Sequence, residues 1–370
     1  MIRNSKFKIK QLTIAGEAEN NSKLKTQNSK LERMLIPDIE LKNISRYRAE
    51  QMGAAMLFVI LFHVALDRGD PFYGLRRCGN VGVDIFLFLS GVGLWFAWSK
   101  NQDILHFYRR RLLRILPTWL VCATAFYLPD YLGPRKFSRS LVDLIGDITI
   151  NWDFWLHDEL TFWYVPAIML LYLLAPLYMK LITRHSEYRW TPVLMIVWCI
   201  MVQWVLPIHH AVGHLEIFWS RVPIFFIGIN CGEMVRTERR IEGSAVWMLL
   251  LAFAMTFGTS LYLEQERHGM FPLFVERMLY IPFTICSVLV MNRIFRRTPQ
   301  WVNRSFRFVG ALSLEAYLIH IHFVLVYIEP HHLGYWPTFL ATVAITLPIA
   351  WVLQWIVTKL PAMIMKRKKQ

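Results

Sequence analysis

The sequence predicts an all-α polytopic membrane protein: a bundle of about ten transmembrane helices with both termini cytoplasmic. Three observations predict it. Of 370 residues, 55% are hydrophobic and 18% charged, against about 25% charged in an ordinary soluble domain. A soluble fold of this length would lack the polar surface to cover that apolar content, and the mean hydropathy is +0.35. The chain also divides into mostly apolar stretches of about the 20 residues that a membrane-crossing helix needs. Lysine and arginine, finally, collect on alternate connections between those stretches.

The predicted spans run over residues 50–67, 80–99, 112–132, 162–183, 190–207, 217–235, 245–263, 272–292, 308–328 and 337–358. Residues 1–45 are polar, with Lys6, Lys8, Lys10, Lys23, Lys25 and Lys30 among Asn, Ser and Gln. They carry no apolar signal core and read as a disordered cytoplasmic tail, with Met34 as an alternative start. Residues 46–358 form the ten-helix domain, and 359–370 a basic cytoplasmic tail ending "MKRKKQ". With the N-terminus inside, the internal connections hold Lys100, Arg109, Arg110, Arg111, Arg184, Arg189, Arg236, Arg239, Arg240, Arg293, Arg296, Arg297, Arg304 and Arg307. The external ones hold Arg68, Arg76, Arg77, Arg135, Lys136, Arg139 and Arg267. The net charge of +15 is therefore mostly topology. The expected surroundings are membrane lipid, and no nucleic acid is expected as a partner.

The one long external connection, about 133–161, contains "DLIGDITINWDFWLHDELTFW". Two readings fit its tryptophans, Trp152, Trp155 and Trp163. They form an interfacial belt, or they build a lid that stacks on a sugar while Asp153, Asp158 or Glu159 accept its hydroxyls. The five cysteines are scattered with no CxxC pair and read as small core residues.

Three constellations carry chemistry. His63 ends the apolar run "AAMLFVILFH" in the first span, and Asp84 lies at similar depth in "GNVGVDIFLFLSG" of the second. Gly79 and Gly82 would let the two backbones approach closely. An ionisable group inside the membrane is a functional-site hypothesis by default. A carboxylate on the imidazole would suit a general base, with Asp67, one turn above His63, as the other candidate partner. The competing reading is a structural pair tying two helices. Second, "HFYRRRLLRILP" crowds Arg109, Arg110, Arg111 and Arg114 at the entrance of the third span. Topology explains charge there, but Arg114 lies a turn inside the span, where an arginine seeks an anion such as phosphate. Third, Glu315, His320 and His322 lie in "LSLEAYLIHIHF". That donor set is too small for a metal centre, and no metal is expected.

These same pieces carry a resemblance. The segments "GAAMLFVILFH", "GVDIFLFLSGVGL", "FYRRRLLRILP", "FWYVPAIMLLYLLAPL", "RVPIFFIGINCGE" and "LSLEAYLIHIHF" occur in order between Gly53 and Val324. In this the chain resembles the membrane-bound acyltransferase family 3, integral-membrane O-acyltransferases of bacterial surface glycans. The resemblance implies that His63 is the essential histidine of the first helix and that Arg111 and Arg114 belong to a basic motif serving acyl-CoA. One position departs. The family usually has an arginine eleven residues before the histidine, where this chain has Met52. Arg48 is the candidate substitute, about 60° round the helix from that face.

The expected function is O-acyl transfer, acetyl or another short acyl group. It would pass from cytoplasmic acyl-CoA to a hydroxyl of an extracytoplasmic saccharide or lipid-linked glycan, across the inner (plasma) membrane. In that reading His63 and Asp84 are catalytic, and Arg48, Arg110, Arg111 and Arg114 hold the CoA phosphates. Trp155, Glu159, Trp163 and His320 meet the acceptor. The alternatives are a transporter or flippase, and a structural membrane protein whose His–Asp pair only locks packing. No internal repeat of the kind that builds transporters is visible.

Overall fold

The computed structural model describes residues 38–157 and 159–367, with side chains to 358. Most of the expected N-terminal tail, with Met34, the side chains of the C-terminal basic tail, and Asp158 lie outside the described residues. The described residues are about 82% helical. Among the described residues the only sheet is a two-residue clip, Ile39–Glu40 (β1) antiparallel to Arg240–Ile241 (β2).

Eleven helices make the body. They are α1 (Arg48–His63), α2 (Val81–Lys100), α3 (Ile104–Leu132), α4 (Tyr164–Arg184), α5 (Thr191–Trp204) and α6 (Val222–Arg236). Then come α7 (Ser244–Glu266), α8 (Leu273–Arg297), α9 (Gln300–Ala311), α10 (Ser313–Ile319) and α11 (Tyr335–Arg367). By length and apolarity, six helices can cross a membrane: α2 with its lead-in from Tyr73, α3, α4, α7, α8 and α11. Two bent pairs bring the number to at most eight. One pair is Ser186–Trp204 with Leu206–Trp219, bent by 95°; the other is Gln300–Ala311 with Ser313–His331, bent by 60°. The two remaining predicted spans are α1 and α6, at 16 and 15 residues. At 1.5 Å per residue they measure about 24 and 22 Å, short of the ~30 Å hydrocarbon layer. Both are largely enclosed by other helices, so their length answers to their neighbours more than to lipid.

Glycine sets how close those neighbours come. A Cβ at Gly82 would collide with the carbonyl oxygen of Ala55, and one at Gly79 would stand 2.6 Å from that of Phe58. The expected close approach of the first two helices is therefore present. α1 meets α9 the same way: Gly53 lies against the carbonyl of Phe306, and Gly310 against that of Ala49. Gly91 and Gly228 do the same between α2 and α6. Such contacts bring helices into packing range without a hydrophobic drive between them. By contrast, α7 and the α11 span are only 11% and 22% buried. They present Trp247, Met248, Leu251, Leu340 and Trp351 outward, the apolar face that lipid tolerates.

The long connection before α4 is folded. Ser140 and Asp143 cap the helix Leu141–Ile150 reciprocally, and Asp130 accepts from the backbone N–H groups of Lys136, Phe137 and Ser138 at 3.0, 2.9 and 3.0 Å. The buried Asn151 donates to the carbonyl of Thr161 at 2.7 Å and accepts from the Tyr127 hydroxyl at 2.9 Å. Burial pushes the Asp147 carboxyl up to about 6. Its share of the loop's stability is thus full below the ordinary carboxylate range and is lost as pH rises through that value.

The glycine contacts make a prediction. Gly310→Ala places a methyl group against the backbone of Ala49. It should cost about 1–3 kcal/mol, the usual scale of overpacking. Gly258→Ala, where nothing lies within 4 Å, should be neutral or slightly stabilising. Thermal unfolding of both variants in detergent checks this; equal melting temperatures would refute it.

Candidate active site

His63 is the last residue of α1, and the chain leaves it extended at Val64. Its Nδ1 lies 2.8 Å from the carbonyl oxygen of Val59 and 3.2 Å from Nε2 of His320. His320, fully buried, opens a six-residue π-helical turn, His320–Leu325, that continues α10. Its Nδ1 faces the carbonyls of Tyr317 and Ala316 at 2.7 and 3.1 Å. A carbonyl only accepts, so both neutral imidazoles carry their proton on Nδ1. The His63 proton is shared between Val59 O and His320 Nε2, and the Nε2 of His63 keeps a free lone pair. π-helical turns recur at functional sites because they push one side chain out of the α-helical register; this one sets His320 behind His63.

His63 lines a cavity of about 490 Å³ together with Glu159, Trp163, Tyr317, His322, Arg77 and Glu276 among others. Two of the expected acceptor residues, Glu159 and Trp163, are thus in this vestibule with His63. His320 sits behind His63 and does not line the cavity. Its contact is with His63, not with the cavity where the acceptor was expected. Trp155 also lies elsewhere: its Nε1 donates to the carbonyl of Ile150 at 3.1 Å, and its ring lines a separate apolar groove beside Arg111 and Tyr172.

The expected His63–Asp84 pair is not formed. Asp84 is buried against Arg221, with Oδ2 3.4 Å from Nε. Arg221 in turn donates to Oδ1 of Asn80 at 2.9 Å and lies over the ring of Trp163, 5.1 Å from its centre. The reason is helical phase. Gly82 presses against the α1 backbone at Ala55, and Asp84, two residues on, is about 200° round the helix. Its carboxylate is turned from α1 toward the start of α6. Asp67 is not the partner either; its Oδ1 accepts from the N–H of Gly69 at 2.8 Å in the turn beyond α1.

At the other end of α1, Arg48 stands fifteen residues before His63, about 22 Å along the axis. Its Nε donates to the carbonyl of Leu89 at 3.1 Å. Arg48, Met52 and Arg114 line a narrow cavity of about 60 Å³. They also line a wider one of about 460 Å³ that adds Arg46, Lys100 and Arg307. Arg307 is held by Glu50, whose Oε1 accepts at 2.6 and 3.1 Å. The narrow cavity reaches Tyr317, which also lines the His63 vestibule. A basic mouth and a histidine vestibule therefore approach the same tyrosine from opposite ends.

The four expected phosphate ligands separate accordingly. Arg48 and Arg114 converge in the mouth beside Met52. Arg111 lies near the rings of Phe107 and Tyr172, at 5.6 and 5.8 Å, and lines the apolar groove. Arg110 is exposed and lines neither the mouth nor the narrow cavity. The basic run itself is helical from Ile104, eight residues before the predicted start, because Asp103 caps it by accepting from Leu105 and His106 N–H at 2.9 and 3.3 Å. Sequence reasoning gave no role to Arg221 or Tyr317, although both lie in segments that carry the family resemblance, "RVPIFFIGINCGE" and "LSLEAYLIHIHF". It gave Lys100 and Arg307 a topological role only.

A family model described as an acyltransferase domain matches residues 53–355, more than four fifths of the chain. The chain belongs to this acyltransferase family. Comparison with curated proteins and with solved structures gives no significant match. The protein is therefore a multi-pass membrane acyltransferase. The matched region contains His63, His320, Arg114 and Tyr317 and begins five residues after Arg48.

The Asp84–Arg221 pair yields a second prediction. Removing one member of a buried pair typically costs about 3–5 kcal/mol, because the other charge is left unmatched. Asp84→Asn and Arg221→Gln should each destabilise strongly, and the double variant should lose less than the sum. Additive losses in thermal unfolding would mean that the two groups do not depend on each other.

Proposed function

We propose that this acyltransferase moves a short acyl group, acetyl in the first instance, from acyl-CoA to a hydroxyl of a saccharide or lipid-linked glycan on the opposite side of the membrane. The observation that carries the reading is the single helix α1. It bears Arg48 in a basic mouth at one end and His63, with a free Nε2, in a vestibule at the other. By the positive-inside bias the arginine mouth is cytoplasmic and the vestibule extracytoplasmic, with both termini inside and α1 and α6 counted among ten spans of the plasma membrane.

In this reading the CoA phosphates bind at Arg48 and Arg114, with Arg307 and Lys100 adding charge at the rim. The planar guanidinium fork suits a phosphate. The pantetheine arm runs along α1 past Tyr317, whose side chain must move aside for the thioester to reach His63. Nε2 of His63 takes the proton of the acceptor hydroxyl as its oxygen attacks the thioester carbonyl. The tetrahedral intermediate collapses, the C–S bond breaks, and the CoA thiolate takes the proton back from the imidazolium. His320 and the carbonyl of Val59 hold the proton on Nδ1 throughout, so Nε2 remains the basic atom. Trp163 offers an aromatic face to a sugar ring, and Glu159 an acceptor for its hydroxyls.

The test is acetyl transfer from acetyl-CoA by purified protein in detergent, with mass spectrometry of surface glycans from a deletion strain to name the acceptor. His63→Ala should lower turnover by about 10²–10⁴-fold, the range of general-base catalysis, with the melting temperature little changed. Retention of more than a tenth of the activity would remove His63 from the mechanism.

Donor affinity separates the arginines. Arg114→Lys keeps the charge but loses the fork, and Arg48→Ala removes the group that stands in for the arginine replaced by Met52. Both should raise KM for acyl-CoA with kcat less affected, whereas Arg110→Ala should leave KM near wild type. Wild-type KM in the first two variants would move the phosphate site elsewhere.

A further inference from the structure

Three deeply buried carboxylates of this bundle each meet an arginine. Glu50 faces Arg307, Asp84 faces Arg221, and Glu264 faces Arg77. Glu276, in the first turn of α8 and only 3% exposed, is different. No lysine or arginine among the described residues lies within ion-pair distance of it, and its Oε1 is buried without any partner. An unmatched carboxylate oxygen in such a place is costly unless something neutralises it.

The neighbours of Glu276 are ligands. Glu264, 1% exposed near the end of α7, and His268, just beyond that helix, each bring a donor atom to the same point. One donor atom from each of the three residues lies within 4.8 Å of the other two. Nδ1 of His268 is 3.0 Å from Oε2 of Glu264. Donors sharing a tetrahedral zinc at about 2.0–2.1 Å lie about 3.3 Å apart, so small side-chain adjustments close the triad. The surroundings hold it in place: Tyr280 donates to Oε1 of Glu264 at 3.3 Å, Arg77 to Oε2 at 3.0 Å, and Arg68 to the carbonyl of His268 at 2.9 Å. Two carboxylates against one arginine leave about one negative charge uncompensated.

We propose that Glu264, His268 and Glu276 bind a divalent transition-metal ion, Zn²⁺ by the mixed imidazole and carboxylate donor set, in the wall of the His63 vestibule. Three protein ligands leave at least one coordination position open. Glu264 and Glu276 both line the cavity, so that position faces the vestibule, where water or a ligand oxygen completes the shell. Metal affinity needs deprotonated ligands; the rival arrangement is a proton shared by the two carboxyl groups, with no metal at all. The site stands independently of the acyl donor and acceptor proposed above.

The experiment uses the full chain in detergent, stripped with a chelator, loaded with ZnCl₂ and dialysed. Elemental analysis should find about one tightly held zinc per chain. Glu276→Gln and His268→Gln should each weaken binding by at least about tenfold, the lower end of what even outer-sphere substitutions cost. Their melting temperatures in EDTA should match the wild type. A wild type that retains no zinc overturns the proposal in favour of the shared proton, and variants that retain as much zinc as wild type place the ion elsewhere. Should either variant fail to fold, X-ray absorption of the zinc-loaded wild type decides. A shell with one imidazole and otherwise oxygen supports the site; two or more imidazoles, or sulfur, refute it.

Discussion

The backbone contact of α1 with its neighbours is the constraint from which the rest follows. Gly82 and Gly310 bring α2 and α9 against the carbonyls of Ala55 and Ala49, so α1 is held as a buried rod rather than a lipid-facing span. A rod of fixed length carries Arg48 at one end and His63 at the other, and the distance between the two is set by helix geometry alone. The arrangement of both cavities around that rod is then a matter of which side chains the neighbouring helices turn toward it.

The same packing decides how charge is handled. The phase that lets Gly82 touch α1 turns Asp84 away, so the carboxylate neutralises Arg221 and the imidazole of His63 is left to a second imidazole. A His–His contact supplies orientation without a full charge. Backbone carbonyls at 2.7 and 2.8 Å fix the tautomer of both rings, and His63 lines the vestibule. A carboxylate at that point would instead favour a protonated ring. The buried ion pairs elsewhere tie helices together, whereas Glu276 has no arginine or lysine within ion-pair distance among the described residues.

The connection between α3 and α4 shows why a long connecting segment can be ordered. Asp130, Ser140, Asp143 and Asn151 satisfy backbone groups that would otherwise need water, and Phe154, Phe162 and Trp163 bury their rings beneath them. The segment closes one wall of the vestibule with Glu159 and Trp163, while Trp155 is spent on the apolar groove. Of the tryptophans the sequence marked there, Trp163, just before α4, lines the cavity, while Trp155, in the five-residue turn Trp152–Leu156, does not.

By itself the sequence determined the helical membrane class and the family, and it singled out His63, Arg48 and Arg114 as candidates. Apolar length, charge asymmetry and motif order are local properties, and local properties survive folding. It also determined that Gly79 and Gly82 would bring two helices together, since a missing Cβ acts wherever the neighbour lies. The partner of His63 was decided only by tertiary structure. Asp84 is 21 residues from His63 and His320 is 257 residues away, and the choice between them rests on helix phase and on a π-helical turn that no spacing rule marks. The same holds for Arg221, for Tyr317 between the two cavities, and for the meeting of Glu264, His268 and Glu276. Each depends on which faces of distant helices pack together, and that is fixed by the sum of many backbone contacts rather than by any one segment.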